Sequence, residues 1–174
     1  MINKLKILFP HFVEKECWIE TSDKEIEIYD HEKEKRCYLD KRFKTEFTVI
    51  NPSEKKINFI AVDSCLLSSS DPSRSDCMVF DEKTVCFIEL KKCKKKNVKD
   101  NQKGAIDQLE AFVKFFIENS LNIDKKLEAY VCVRCRRTDE VISRMPKIGS
   151  DTRRALFLEK YKTKLFYKCE KEFT

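Results

Sequence analysis

The chain has 174 residues, which favours a single domain, and 41% of them are hydrophobic, enough for one sizeable core. The net charge of +6 is compatible with a polyanionic partner and equally with an ordinary solvated surface. With only two glycines, the chain cannot build the glycine-rich loops that hold phosphates, so P-loop and dinucleotide-binding motifs are excluded. No apolar run is long enough to span a membrane, and residues 1–10 lack a cleavable leader pattern, so we expect a cytoplasmic protein.

The predicted elements alternate strands with two amphipathic helices. Strands are expected near 26–29, 36–39, 43–50, 57–62, 77–80, 85–91, 127–134 and 165–168. A serine-rich loop over 66–74 precedes the central hairpin. One helix begins near Asp100 or Asn101, and a second is capped by Ser150-Asp151 and runs to Tyr161. This order predicts an α/β fold with a mixed central β-sheet flanked by helices.

The first helix has the clearest pattern. Its apolar residues recur at the three- and four-residue spacing of a buried helix face, at Ile106, Leu109, Phe112, Val113, Phe116 and Leu121.

The residues that can do chemistry lie on two neighbouring apolar runs. Asp76 precedes the first run, and Glu89 and Lys91 close the second, where strand periodicity puts them on one face. If a two-residue loop at 82–83 joins the strands, Asp76 lies directly opposite Glu89. Opposed carboxylates repel unless a cation lies between them, and divalent ions that prefer oxygen ligands suit that position. The alternative is an ordinary surface hairpin with an exposed ion pair of small energetic value.

The pattern Asp76…Glu89-Leu90-Lys91 resembles the signature of the PD-(D/E)XK nuclease superfamily, with Ser75 where that family often has proline. On the helix, Gln108-Leu109-Glu110-Ala111-Phe112 resembles the Q-x-x-x-Y motif of the RecB-like branch, with Phe112 in place of tyrosine. The resemblance implies one nuclease domain with a restriction-endonuclease-like core over 46–134, an N-terminal elaboration over 1–45 and a C-terminal helix and strand over 135–174.

The resemblance also implies roles for individual residues. Asp76, Glu89 and the backbone carbonyl of Leu90 would bind Mg²⁺ or Mn²⁺, and Lys91 would position or activate the attacking water or stabilise charge on the phosphate. Gln108 would contact the site or its water. The family often adds a further acid, for which Glu46 is favoured among Glu14, Glu16, Glu20, Glu46 and Asp63.

Positively charged side chains follow the motif strand and recur later in the chain. Such side chains contact phosphates and position a nucleic acid without reading its sequence. The candidates are Lys92, Lys94, Lys95, Lys96, Arg134, Arg136, Arg153 and Arg154. The last two are expected to open the second helix, where positive charge opposes the helix dipole and so favours a binding use.

The nine cysteines are expected to be reduced, because the compartment is predicted to be cytoplasmic and an odd count argues against a closed disulfide framework. Most are interpreted as buried small hydrophobic residues. Cys132 and Cys135 form a C-x-x-C pair, but strand geometry points them to opposite faces, which disfavours a shared metal.

The sequence thus predicts a Mg²⁺-dependent deoxyribonuclease, with DNA favoured over RNA as the substrate and no membrane partner. Its specificity would be supplied by DNA structure, homodimerisation or a partner protein. DNA repair, restriction and anti-phage defence are the settings that the resemblance implies. The alternatives are a catalytically inactive module of the same fold that binds nucleic acid or protein, and a cysteine-based metal or redox protein.

Overall fold

A computed structural model describes residues 1–174 except 41–42, 69–73, 122–123, 139 and 143–146, and only the backbone of 147–151. Most of the predicted serine-rich loop therefore lies outside the described residues. The helices are α1 (Ile2–Leu8), α2 (His11–Glu14), α3 (Val98–Glu118) and α4 (Lys147–Tyr161), and a 3₁₀ turn at Lys95–Asn97 precedes α3. The strands are β1 (Trp18–Thr21), β2 (Glu25–His31), β3 (Arg36–Leu39), β4 (Phe47–Ile50), β5 (Ile57–Ala61), β6 (Cys77–Phe80), β7 (Thr84–Cys93), β8 (Lys126–Cys135), β9 (Thr163–Phe166) and β10 (Glu170–Glu172).

The described strands form two sheets. The larger has six strands in the order β1-β5-β6-β7-β8-β9, antiparallel up to β7 and parallel from β7 to β9. The smaller has four strands in the order β10-β4-β2-β3. The predicted α/β class and mixed sheet are confirmed, and β7 is central as its apolar faces require.

Contacts across the larger sheet define three layers. On one face, Phe87 of β7 packs edge-on against Phe116 of α3, with ring centroids 4.9 Å apart. On the other face, Tyr130 of β8 packs against Phe47 of β4, with centroids 5.4 Å apart. Helix α3 therefore covers one face of the larger sheet, whereas the smaller sheet covers the other. Sequence reasoning did not predict this second sheet.

The helices differ from the predicted ones mainly at their starts. The five predicted stripe residues within α3 are buried, which confirms the periodicity, and Leu121 is buried just beyond the end of the helix. Helix α4 begins at Lys147, so Ser150 and Asp151 lie inside the helix and do not cap it. Arg153 and Arg154 consequently lie near the middle of α4, and the helix-dipole argument for a binding role does not apply to them.

The expectation of reduced cysteines is wrong for four of the nine. Disulfides join Cys17 to Cys65 and Cys132 to Cys169, across 48 and 37 residues of chain. The five remaining cysteines are all free and buried, as the hydrophobic interpretation predicts. Because Cys132 is disulfide-bonded, the C-x-x-C pair does not form a cysteine metal site. No helix in the described part of the chain is both long and apolar enough to cross a membrane.

Candidate active site

The hairpin of β6 and β7 has the predicted two-residue loop. Phe80 pairs with Val85 and Cys77 with Ile88, a register that places Asp76 opposite Glu89. The Asp81 carboxylate accepts hydrogen bonds from the backbone N–H groups of Lys83 (2.8 Å) and Thr84 (2.7 Å). These bonds stabilise a loop sequence that lacks the usual left-handed turn residues.

The hairpin brings the two predicted acids together in the protein interior. Asp76 is 9% exposed and Glu89 is fully buried. The Asp76 backbone N–H donates to Glu89 Oε2 (3.2 Å), and the Leu90 N–H donates to Asp76 Oδ2 (2.6 Å). Leu90 itself is buried, as predicted for a side chain on the opposite face.

Lys91 completes this cluster. Its Nζ donates to Glu89 Oε1 at 2.5 Å, and a quarter of its side chain remains exposed. Burial alone lowers the pKa of Lys91, but attraction to Glu89 and Asp76 outweighs burial and raises the pKa above its ordinary value. A lysine held in the protonated form can donate to an anion but cannot act as a base, so the structure favours charge stabilisation over proton abstraction.

The acid pair is only partly neutralised by the chain. Burial is the main cause that raises the pKa of Asp76 to about 7, and nearby Asp30 and Asp63 raise it further against the opposing effect of Lys91. Burial and repulsion from Asp76 likewise raise the pKa of Glu89 well above its ordinary value. A cation between the two carboxylates would remove this cost, and their oxygen atoms are the donors that a hard divalent ion prefers.

Gln108 contacts the segment of chain that leads into Asp76. Its Nε2 donates to the backbone oxygen of Arg74 at 3.3 Å, two residues before Asp76 in the chain. Arg74 in turn binds Asp63, with Nε 2.6 Å from Oδ1. Sequence reasoning missed Arg74, which anchors both the glutamine and a nearby acid, because it lies at the end of a loop without periodicity.

Sequence reasoning also missed a buried glutamine. Gln102 is 2% exposed on α3, and its Nε2 has no hydrogen-bond partner among the residues that the structure describes. Its position three residues before Ala105, which starts the buried stripe, could have identified it.

Among the other acids around the pair, Asp30 raises the pKa of Asp76 most. It lies on β2, and its carboxylate interacts with that of Asp76 and with the Lys91 and Lys92 ammonium groups. Burial raises the pKa of Asp30 itself. The alternation of Ile26 and Ile28, extended by two residues, would have placed Asp30 on the inward face.

Glu46, the favoured candidate, is engaged elsewhere. It is 5% exposed and forms an ion pair with Lys92, while its backbone oxygen accepts a hydrogen bond from Arg134 Nε at 3.0 Å. Glu46 therefore holds two of the predicted phosphate-binding side chains and joins the two sheets at this point. Of the other candidates, Glu14, Glu16 and Glu20 have no described interaction with the acid pair.

The remaining basic candidates divide by location. Lys94 and Lys96 are exposed between β7 and α3, directly beyond the acid cluster. Lys95 pairs with Glu140 and Arg136 with Glu32, both on the surface. Arg153 pairs with Asp107 of α3, while Arg154 packs over the Tyr167 ring at 5.2 Å. The structure thus ties Lys92 and Arg134 to Glu46, leaves Lys94 and Lys96 exposed after β7, and places Arg154 against the protein's own aromatic ring.

Within the described residues, no three His, Cys, Asp or Glu side chains are arranged as a preformed metal site. Two carboxylates with backbone carbonyl and water oxygens remain a sufficient donor set for Mg²⁺, which usually keeps several waters. No family model matches the chain, and neither a curated protein nor a solved structure matches it.

Proposed function

We propose that this chain is a metal-dependent nuclease that hydrolyses DNA phosphodiester bonds, with RNA as the second substrate class. The observation that supports the proposal most is the buried pair of Asp76 and Glu89, held face to face with Lys91 beside it. Buried carboxylates with raised pKa values cost folding energy, and such groups cluster at functional sites.

The residues present fit a Mg²⁺ or Mn²⁺ ion. Asp76, Glu89 and the carbonyl oxygen of Leu90 would hold it, and a bound divalent ion supplies Lewis-acid activation of the phosphate and a more acidic water. Rotation of the Lys91 ammonium away from Glu89 Oε1 would leave that oxygen available for the ion.

The chain's own side chains then have separable roles. Protonated Lys91 would donate to a phosphate oxygen as charge develops there. Gln108, held by the Arg74 carbonyl, would orient a water or phosphate oxygen beside Asp76. Exposed Lys94 and Lys96 would contact flanking phosphates and position the strand without reading its sequence.

The proposed setting follows the sequence resemblance. DNA repair, restriction and anti-phage defence remain the proposed contexts, in the cytoplasm, with DNA structure, a homodimer or a partner protein providing specificity. Disulfides are rare in a reducing cytoplasm, so five free thiols in freshly purified protein would argue against the proposed location, whereas nine would support it.

The test is cleavage of labelled linear, closed-circular and single-stranded DNA, and of RNA, with Mg²⁺ or Mn²⁺. We expect Glu89→Gln and Lys91→Ala to abolish cleavage, and chelator to do the same. Glu82→Gln and Lys83→Ala in the loop of the same hairpin are the matched controls, because both side chains are exposed and neither has a proposed role. Equal cleavage by Glu89→Gln and wild type would exclude this site, and cutting of closed circles would identify an endonuclease.

The second candidate is an inactive module of the same fold that binds nucleic acid or protein. The absence of a preformed three-acid group among the described residues favours it. Calorimetric titration with Mg²⁺ and Mn²⁺ separates the two functions. Binding that Asp76→Ala abolishes supports the nuclease, whereas no binding of either ion supports the inactive module.

A further inference from the structure

A column of stacked aromatic rings lies on the outer face of the β2–β3 hairpin. In the antiparallel register Tyr29 pairs with Tyr38 and His31 with Arg36, so these four side chains share one face. The alternate residues face inward, including Asp30, which interacts electrostatically with Asp76 and Lys91. One strand therefore presents aromatic rings on its outer side and an acid of the candidate site on its inner side.

The rings form a continuous stack that ends in solvent. Phe43 stacks on Tyr29 with centroids 4.5 Å apart and planes 21° apart, and Tyr29 stacks on Tyr38 at 5.8 Å and 26°. The Arg36 guanidinium lies 5.0 Å from the Tyr38 ring at the other end. Tyr29 is 8% exposed, but Phe43 is 47% exposed, so the last ring of the column is open to solvent.

An open ring at the end of a stack is suited to one more planar group. Nucleobases stack on exposed aromatic side chains regardless of their sequence, and Arg adds a cation–π contribution. A base can reach Phe43 only from an unpaired strand, because bases in a duplex are already stacked on each other.

The charges around the column favour a polyanion over an apolar partner. Lys33 and Lys35 are exposed in the turn of the same hairpin, and exposed Lys44 follows Phe43 in the chain. The same turn holds two acids, of which Glu32 is paired with Arg136 and Glu34 accepts a hydrogen bond from the Tyr38 hydroxyl of the column. Phosphates on either side of a base stacked on Phe43 would thus pass close to positive side chains.

The position of the hairpin connects this surface to the candidate site. Strand β3 is the edge of the smaller sheet, so no further strand separates the outer aromatic face from the inner face at that edge. Because Tyr29 and Asp30 are consecutive residues of β2, a strand that stacks on Phe43 would lie on the same hairpin as an acid of the candidate site.

We propose that the column of Arg36, Tyr38, Tyr29 and Phe43 is a docking surface for unpaired bases of a single-stranded nucleic acid, with Phe43 as the stacking platform. The cleavage of a docked strand rests on the proposed function, because the inference names single strands as the substrate class of the same site. Binding itself is independent of cleavage and can be measured without metal.

The test is fluorescence anisotropy with the full chain in EDTA and a labelled twelve-nucleotide oligothymidylate. The same-length oligouridylate and an abasic oligomer with an identical phosphate backbone are the comparison probes. We expect the base-containing probes to bind more tightly than the abasic one, and Phe43→Ala to weaken them by about 5- to 100-fold. Phe43→Leu keeps apolar area but loses the ring and should behave like Phe43→Ala, whereas Phe43→Trp should retain binding.

Two further measurements separate stacking from other causes. The salt dependence of binding should have the same slope in Phe43→Ala as in wild type, because no phosphate contact is removed. Leu156→Ala, at an exposed apolar residue of α4, is the matched control and should bind like wild type. Thermal melting shows whether each variant is folded.

The outcomes that overturn the inference are distinct from those that overturn the nuclease. Equal affinity for the abasic and base-containing probes, unchanged affinity in Phe43→Ala, or stronger binding of duplex would each exclude base stacking at Phe43. If duplex DNA were nevertheless cleaved and Glu89→Gln were inactive, the proposed nuclease would stand. Binding through Phe43 without cleavage of any substrate would support the docking surface and exclude the nuclease.

Discussion

Replacing Asp76 with asparagine should stabilise the protein while it removes a proposed metal ligand. Asparagine keeps a side-chain oxygen that can accept from the Leu90 N–H, but it carries no charge to repel Glu89. Burial raises the pKa of Asp76 from 3.8 to about 7. At roughly 1.4 kcal/mol per pKa unit, the ionised form costs the folded state about 4 kcal/mol.

The size of this effect changes with pH in a defined window. Between pH about 4 and about 7 the folded wild type binds more protons at Asp76 than the unfolded chain, so its free energy of unfolding falls as pH rises. The difference between Asp76→Asn and wild type should therefore be near zero at pH 4 and approach its maximum above pH 7.

Urea unfolding in EDTA at several pH values measures this difference. Asp124→Asn is the control, because Asp124 is exposed and has a left-handed backbone that asparagine tolerates. We expect no pH-dependent gain in the control. If Asp76→Asn were less stable than wild type at pH 8, favourable interactions would fully offset the burial of the Asp76 carboxylate in the wild type. The argument for an acid pair that is only partly neutralised would then fail.

Three further predictions concern the core and the disulfides. Phe112→Tyr, which restores the residue of the resembling motif, should lower the free energy of unfolding by about 1–3 kcal/mol, because it adds a hydroxyl to a buried ring that packs against Phe87 and Phe116. Urea titration measures this change, and an unchanged midpoint would mean that the hydroxyl finds a hydrogen-bond partner. Gln102→Leu should raise the free energy of unfolding by about 1–3 kcal/mol, because it removes a buried amide whose nitrogen has no hydrogen-bond partner among the described residues. A loss of stability in the same titration would show that the amide has a hydrogen-bond partner in solution. Thiol titration in denaturant should count five thiols before reduction and nine after it. Loss of each disulfide should lower the free energy of unfolding by about 4 kcal/mol through chain entropy, seen as a lower melting temperature in reductant. Nine thiols before reduction would mean that neither disulfide forms.

Short-range periodicity allowed the hairpin and α3 to be predicted from the sequence. The opposition of Asp76 and Glu89 follows from a loop length and a period of two, both of which involve neighbouring residues. The buried stripe from Ile106 to Leu121 likewise needs only the helical period. These features place the main elements of the candidate site without knowledge of the remaining fold.

The second sheet and the disulfides depend on long-range pairing, which no local pattern encodes. Strand β4 pairs with β10 from the far end of the chain, and Cys132 meets Cys169 through the same arrangement. Asp30 reaches the acid pair only because the smaller sheet packs over the larger one. The prediction of a single sheet flanked by helices therefore could not place Asp30 near the acid pair.

The smaller sheet also explains how so much negative charge can persist in the interior. Lys92 projects from the same strand as Glu89 but to the opposite face, where it pairs with Glu46 of the smaller sheet. Lys91 faces the helix side and pairs with Glu89. Each lysine thus forms an ion pair with one acid. Asp30 and Asp76 are attracted to these lysines without an ion pair of their own among the described residues, and burial raises the pKa of both Asp30 and Asp76. Breaking either lysine pair would leave a further buried charge, so a cation bound between Asp76 and Glu89 would have to compensate Glu89 as well as Asp76 if Lys91 turned away.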